Sequence, residues 1–258
     1  MIGAVIGDIV GSIYEGNPLK TTMFPFFGMK ADYTDDTVLT VATAYSILEG
    51  VDYAKSMKHF GRKYTAGYGA NFYNWLYSSE NEPYNSWGNG SAMRVSPVGF
   101  AFDSVQKVLD EAKKSAEVTH NHPEGIKGAQ ATALAVYLAR KGAGKEEIKS
   151  EITERFSYNL NRTLDEIRPC YHFKISCQES VPESIIAFTE SEDFESAVRN
   201  AVSLGGDADT MACIAGGIAQ AYYKTIPQKI ISEAKSRIPE EFSELIDKFN
   251  KKFNISLE

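Results

Sequence analysis

The sequence predicts an all-α fold, a compact single-domain orthogonal helix bundle over residues 1–258. Hardly any segment alternates apolar and polar residues as a strand does, whereas apolar residues recur at helical spacing along most of the chain. No linker-like stretch divides it. Two acidic turns near opposite ends, Thr34-Asp35-Asp36-Thr37 and Gly205-Gly206-Asp207-Ala208-Asp209-Thr210, each precede an apolar helix. If these turns meet, they meet in one core.

Taken in order, Ile2, Val5, Ile6, Ile9 and Ile13 share one face of an opening helix. Gly3, Gly7 and Gly11 stack at i, i+4 and i+8, which suits close approach of a neighbouring helix. Asp8, Ser12 and Glu15 form a polar stripe on the same helix, and Gly16-Asn17-Pro18 ends it. Residues 17–33 mix Pro, Gly and aromatics without period and are expected to form a covering loop. Thr34 or Asp35 caps the next helix, which carries Val38, Val41, Ala42, Tyr45 and Leu48. Another helix is expected over Tyr53–Tyr64.

Residues 67–100, rich in Gly, Asn, Ser and aromatics, are expected to be the least regular part, and loops of that length in a compact domain are usually functional. Asn89-Gly90-Ser91 offers backbone N–H groups and Arg94 a fixed cation, a combination that suits phosphate oxygens; plain turn chemistry is the structural alternative. Val105, Val108, Leu109, Ala112 and Ala116 mark a further helix. Thr119-His120-Asn121-His122-Pro123 is a helix-entry turn, followed by an Ala-rich helix from about Glu124 to Lys141. Two histidines at i, i+2 make a poor zinc motif, so one histidine bonding a ligand or the backbone is expected. The helical pattern continues through Ile148, Ile152 and Phe156, breaks over Asn159–Val181, and returns at Phe194, Ala197, Val198 and Ala201. No metal site is expected among Cys170, His172 and Cys177. Met211, Ile214, Ala215, Ile218 and Tyr222 follow the second acidic turn, and Phe242, Leu245, Ile246 and Phe249 mark a terminal amphipathic helix.

Composition narrows the function classes. With 43% hydrophobic and 24% charged residues the chain can bury a sizeable core. No apolar run approaches the roughly 20 residues of a spanning helix, and the first residues lack a signal-peptide pattern, so no membrane partner is expected. Three cysteines form no framework, which fits a reducing, cytoplasmic setting. A net charge of −7 argues against a nucleic-acid groove.

Capping alone accounts for either acidic turn, but not easily for both. Were they to converge, Asp35, Asp36, Asp207 and Asp209 would raise one another's pKa, and a cation would relieve the repulsion. The donors are carboxylates and Thr hydroxyls, hard oxygens that favour Mg²⁺, Mn²⁺ or Ca²⁺ over zinc, and four aspartates with Glu15 suffice for two ions.

Gly7-Asp8 through Glu15, Thr34-Asp35-Asp36-Thr37, Asn89-Gly90-Ser91-Ala92-Met93-Arg94, Thr119-His120 and Gly205-Gly206-Asp207-Ala208-Asp209-Thr210 resemble, in this order, the signature of the ADP-ribosylglycohydrolase family. One departure is Ala208, where Thr or Ser is commoner. The resemblance implies an all-helical domain with two Mg²⁺ or Mn²⁺ ions at the base of an ADP-ribose cleft. By position it implies Thr34, Asp35, Asp36, Asp207, Asp209 and Thr210 as metal ligands, Glu15 and Asp36 as catalytic carboxylates, and Asn89, Gly90, Ser91, Met93, Arg94 and His120 as the substrate-binding set. Adenine is expected near the aromatics between Tyr68 and Tyr84. The implied reaction is hydrolysis of the bond from ADP-ribose to a nitrogen or oxygen of an ADP-ribosylated protein or small molecule, an ADP-ribosylated nucleic-acid end being a further acceptor of the same chemistry. The alternatives are a non-catalytic ADP-ribose-binding homologue and a metal-dependent phosphohydrolase. A prenyl-diphosphate synthase is disfavoured, because Asp36 is followed by Thr37-Val38-Leu39 and no D-D-x-x-D forms.

Overall fold

A computed structural model describes residues 1–256. Among these, the elements are α1 (Ile2–Gly11), α2 (Asp35–Glu49), α3 (Tyr53–Lys63), α4 (Ala70–Tyr77), α5 (Gly90–Met93), α6 (Ser96–Ala101), α7 (Val105–Glu117), α8 (Pro123–Lys141), α9 (Lys145–Phe156), α10 (Leu164–Ile167), α11 (Cys177–Thr189), α12 (Phe194–Ser203), α13 (Ala208–Tyr223), α14 (Gln228–Lys235) and α15 (Glu240–Lys252). An isolated bridge pairs Gly88 with Ser176, and no strand is present among the described residues. No helix there is long and apolar enough to cross a membrane.

The centre of the bundle is the contact between α1 and α13. A Cβ at Gly3, Gly7 or Gly11 would strike the backbone of Gly216, Ala212 or Ala208 respectively. One partner number falls by four as the other rises by four, so the helices run antiparallel with their backbones touching. Every residue of α1 is buried. Around this pair, α12 and α11 pack on α13, and α8, with Ala129, Ala131, Ala133 and Ala135 fully buried, lies against α5, α6, α7, α11 and α13.

The loop over residues 17–33 covers one flank and is held by three cations, one of its own and two from elsewhere. Lys20, on the loop itself, donates to the carbonyls of Tyr171 and Leu204. Arg199 of α12 donates to the Thr22 and Phe24 carbonyls at 3.1 and 2.7 Å, with its guanidinium 5.0 and 5.1 Å from the Phe24 and Phe26 rings. Arg237 donates to the Gly28 and Ala31 carbonyls at 3.2 and 2.5 Å. A loop without internal hydrogen-bonding periodicity thus has its carbonyls satisfied from outside.

Several elements differ from the sequence expectation. The opening helix stops at Gly11; Tyr14 N–H bonds the Gly11 carbonyl at 2.8 Å, so the chain tightens into a turn. Glu15 therefore sits on that turn and not on a helical stripe with Asp8. Residues 67–100 contain three helices, α4, α5 and α6, each too short to show a period. The break expected over Asn159–Val181 ends earlier, at α11, whose Pro182 reads as a helix stop. Packing of α11 on α8, α12 and α13 outweighs the one hydrogen bond that Pro182 removes. Neither α10 nor α14 is foreseen from the sequence.

Gly7→Ala should destabilise the fold by about 1–3 kcal/mol, because the new methyl meets backbone that cannot move aside. Gly16→Ala, at a position with nothing within 4 Å, should stay within about 0.5 kcal/mol of the parent. Urea titrations of the two variants check this, and an unperturbed Gly7→Ala protein would contradict the packing described.

Candidate active site

The antiparallel α1–α13 contact sets Asp8, one turn before the end of α1, beside Asp209 in the first turn of α13. Asp8 is fully buried and accepts four hydrogen bonds: from Thr34 N at 2.9 Å, Thr34 Oγ1 at 2.7 Å, Thr37 N at 3.0 Å and Thr37 Oγ1 at 2.5 Å. It thereby satisfies backbone donors at the start of α2, where a carboxylate also faces the positive end of the helix. Thr34 itself caps α2, its hydroxyl accepting from Asp36 N at 3.3 Å. One side chain of α1 thus docks the first acidic turn onto the second.

Two groups of carboxylates result. Oxygens of Asp8, Asp36 and Asp209 lie within 4.8 Å of one another, as do oxygens of Glu15, Asp207 and Asp209. Asp209 belongs to both. Asp8 is the member that the sequence reading leaves out of the ligand set, although its place in the Asp8, Ser12, Glu15 spacing singled it out. Thr210 N donates to Asp209 Oδ1 at 2.8 Å and Thr210 Oγ1 to Asp36 Oδ2 at 3.3 Å, linking the two turns directly. Asn89 Nδ2 donates to Asp207 Oδ2 at 2.8 Å and so ties the Asn89-Gly90-Ser91 turn to the acidic floor.

Burial first and then the charge of Asp209 push the carboxyl of Asp8 up to about 7, against the pull of its threonine hydrogen bonds. The same two causes push Asp35 up to about 8 and raise Asp36 and Asp207 well above the usual carboxylate range. Glu15, exposed at the rim, is raised by desolvation and by Asp209. Such a cluster is electrostatically unfinished without positive charge. It also leaves Asp36 Oδ1 buried without a hydrogen-bond partner. An orphaned carboxylate oxygen among crowded hard donors fits a divalent cation bound by oxygen.

Above this floor opens a cleft of about 490 Å³, within the range of small-molecule sites. Asp35, Asp36, Asp207, Asp209 and Thr210 lie at its base and Glu15 at its rim; Phe72, Tyr84, Phe173 and Ile175 stand among its walls. Tyr84 and Phe72 fall in the aromatic stretch singled out in the sequence. Phe173 and Ile175, half-exposed, come from the segment without period and carried no sequence signal.

The remaining predicted residues divide by what their side chains face. Gly90, Met93 and His120 line the cleft, and Asn89 lines it with its amide committed to Asp207. Ser91 is fully buried and turned away, its hydroxyl donating to the Gly125 carbonyl at 2.7 Å. Arg94 backs the cleft wall but has no exposed surface, and its Nη2 donates to the Ser115 carbonyl and to Thr119 Oγ1. The part of the turn that faces the cleft is thus mainly backbone.

A family model described as ADP-ribosylglycohydrolase matches residues 1–256. The chain is 29% identical to ADP-ribosylhydrolase ARH3 of Mus musculus, over 86% of this chain and 82% of that protein. It is 27% identical to ADP-ribosylarginine hydrolase Tri1 of Pseudomonas putida (strain GB-1), over 86% of this chain and 69% of that protein. A solved structure titled ADP-ribosylglycohydrolase-related protein complex superposes with a TM-score of 0.73 at 23% identity, covering 99% of this chain and 96% of the other, which shows the same fold.

The raised carboxyls dictate a pH dependence. Asp8 and Asp35 hold protons in the folded state up to about 7 and 8 that the unfolded chain releases near 4. With chelator present, stability should therefore fall as pH rises from about 4 to about 8. Mn²⁺ should raise the melting temperature more at pH 8 than at pH 5. Melts in chelator and in Mn²⁺ at both pH values check this; an equal gain at the two would show that these carboxylates do not meet the ion.

Proposed function

Because the chain belongs to the ADP-ribosylglycohydrolase family, matched over residues 1–256, we propose that it hydrolyses the glycosidic bond between ADP-ribose and a side-chain nitrogen or an oxygen of its acceptor. The observation that carries this reading is the pair of three-carboxylate groups sharing Asp209 at the floor of the cleft. Two divalent cations, Mg²⁺ or Mn²⁺, would be held by Asp36, Asp207 and Asp209 with Thr34, Asp35, Thr210 and Glu15 alongside, and when bound they supply positive charge for ribose hydroxyls and water.

The chain's own residues supply the rest. Glu15, raised above the ordinary carboxylate range yet accessible from the cleft, accepts a proton from the attacking water. The water oxygen bonds the anomeric carbon, the bond to the acceptor atom breaks, and the acceptor leaves with its electron pair and takes a proton from solvent, to which Glu15 then returns the one it accepted. Positive charge that develops on the ribose at that moment lies above the acidic floor. Asp8 orients the Thr34 hydroxyl and the start of α2, so Asp35 and Asp36 are presented without a search through rotamers. Asn89 holds Asp207 in the same way. The backbone of the Asn89-Gly90 turn and His120 face the diphosphate, while Tyr84 and Phe72 offer flat apolar surface to the adenine.

The acceptor sits at the mouth of the cleft. Relatives named for ADP-ribosylarginine hydrolysis and as ARH3 leave both protein-linked and small ADP-ribose derivatives as candidates. Release of ADP-ribose from ADP-ribosyl-arginine, ADP-ribosyl-serine and O-acetyl-ADP-ribose, each with and without Mg²⁺ or Mn²⁺, tests the activity. ADP-ribose binding without release from any of them would favour a binding protein instead.

Glu15→Gln should keep the fold and ADP-ribose affinity while lowering turnover by a factor on the order of 10² or more, the loss expected for a general base. Single-turnover kinetics beside a binding titration separate the two effects. Turnover within a few-fold of the parent would remove Glu15 from the chemistry.

A further inference from the structure

Arg94 is an unusual residue to bury completely, and its surroundings show what it does. Its Nη2 donates to the Ser115 carbonyl at 2.9 Å and to Thr119 Oγ1 at 2.8 Å, while Nε and Nη1 are buried without partners. A guanidinium has donors and no acceptor, so the hydrogen of the Thr119 hydroxyl cannot return to it. Thr119 Oγ1 lies 2.7 Å from His120 Nδ1. The one hydrogen of this hydroxyl is left to give, and given to Nδ1 it makes that nitrogen an acceptor without a proton. The remaining ring proton is then on Nε2.

That nitrogen lies beside Gly90. A Cβ added at Gly90 would sit 3.0 Å from His120 Nε2 and 3.3 Å from its Cε1, so the missing side chain at this position is what leaves the N–H uncovered. No hydrogen bond among the described residues uses Nε2, and His120 lines the cleft. We propose that Arg94 and Thr119 are positioning residues that lock His120 in its neutral Nε2–H tautomer and aim that single donor into the cleft beside the Asn89-Gly90 turn. Burial and the neighbouring guanidinium both lower the imidazole's pKa, in keeping with a neutral ring. A ring held this way offers a donor whose orientation is set before any ligand arrives, suited to an anionic or hydroxyl oxygen. That this oxygen belongs to ADP-ribose rests on the function proposed above.

Tyr84 supplies the competing arrangement. Its ring lies 5.9 Å from that of His120, and its phenol, pushed up to about 12, stays protonated and able to accept as well as donate. If Thr119 donated to Tyr84, Nδ1 would carry the proton and Nε2 would be bare.

The test is the long-range proton–nitrogen spectrum of the imidazoles in ligand-free protein. The chain has four histidines, and the His120 signal is the one absent from His120→Gln. The parent should show His120 as the Nε2–H tautomer. Thr119→Val should give a mixture or the reverse tautomer and weaken ADP-ribose binding roughly tenfold, the loss of one hydrogen bond to a charged group. Thr119→Ser should restore both, which a loss of packing alone would not do. An Nδ1–H tautomer in the parent, or a Thr119→Val spectrum identical to it, overturns the proposal. So does unchanged ADP-ribose affinity in a Thr119→Val protein whose tautomer has changed. If the parent binds no ADP-ribose, the function proposed above fails, while the ligand-free spectrum still decides the tautomer.

Discussion

The bundle depends on one contact made almost without side chains, the antiparallel seam where Gly3, Gly7 and Gly11 lie on the backbone of Gly216, Ala212 and Ala208. Only this closeness puts Asp8 within reach of Asp209. A seam of leucines would hold the helices about 8–10 Å apart, and the two acidic turns would face each other across apolar side chains. The stripe of small residues is therefore as much a part of the site as the acids are, since it sets the distance between them.

Closeness creates the opposing force that defines the chemistry. Several carboxyls gathered in a poorly solvated floor repel one another, and the protein offsets the repulsion only in part. Asp8 receives four hydrogen bonds from Thr34 and Thr37, and Asp207 one from Asn89, whereas Asp36 Oδ1 receives none. The fold thus satisfies some of these oxygens with its own donors and leaves others without one. The arrangement resembles a half-neutralised cup more than a salt-bridged core, because among the described residues no lysine or arginine is paired with these acids.

Much of this was legible in the sequence. Thr34 and Asp209 announced themselves because acid-rich turns before apolar helices are rare and appeared twice, and the glycine spacing announced the seam. Glu15 was found for a partly mistaken reason: its helical spacing from Asp8 suggested a stripe, but the helix ends at Gly11 and the turn after it delivers the carboxylate. The Asn89-Gly90-Ser91 turn reads as a source of backbone N–H groups and Arg94 as a fixed cation; the burial of the Ser91 and Arg94 side chains follows from the packing of α5 against α8, which no local pattern encodes. Phe173 and Ile175 reach the cleft through the isolated pairing of Gly88 with Ser176, a contact between segments that share no period.

The convergence of distant acids bears on how the protein acquires its structure. The hydroxyl of Thr210 and the carboxylate of Asp36 are 174 residues apart in sequence, and the bonds that close the floor span most of the chain. Contacts of such separation form only after the intervening loop entropy has been met, so they come late and slow the approach to the native state. Repulsion among the incoming carboxylates adds to that barrier when no cation is present. Divalent ions should then act on the rate of maturation as well as on the finished site, and chains caught before this closure would expose the apolar faces of α1 and α13 together, the surface most prone to association.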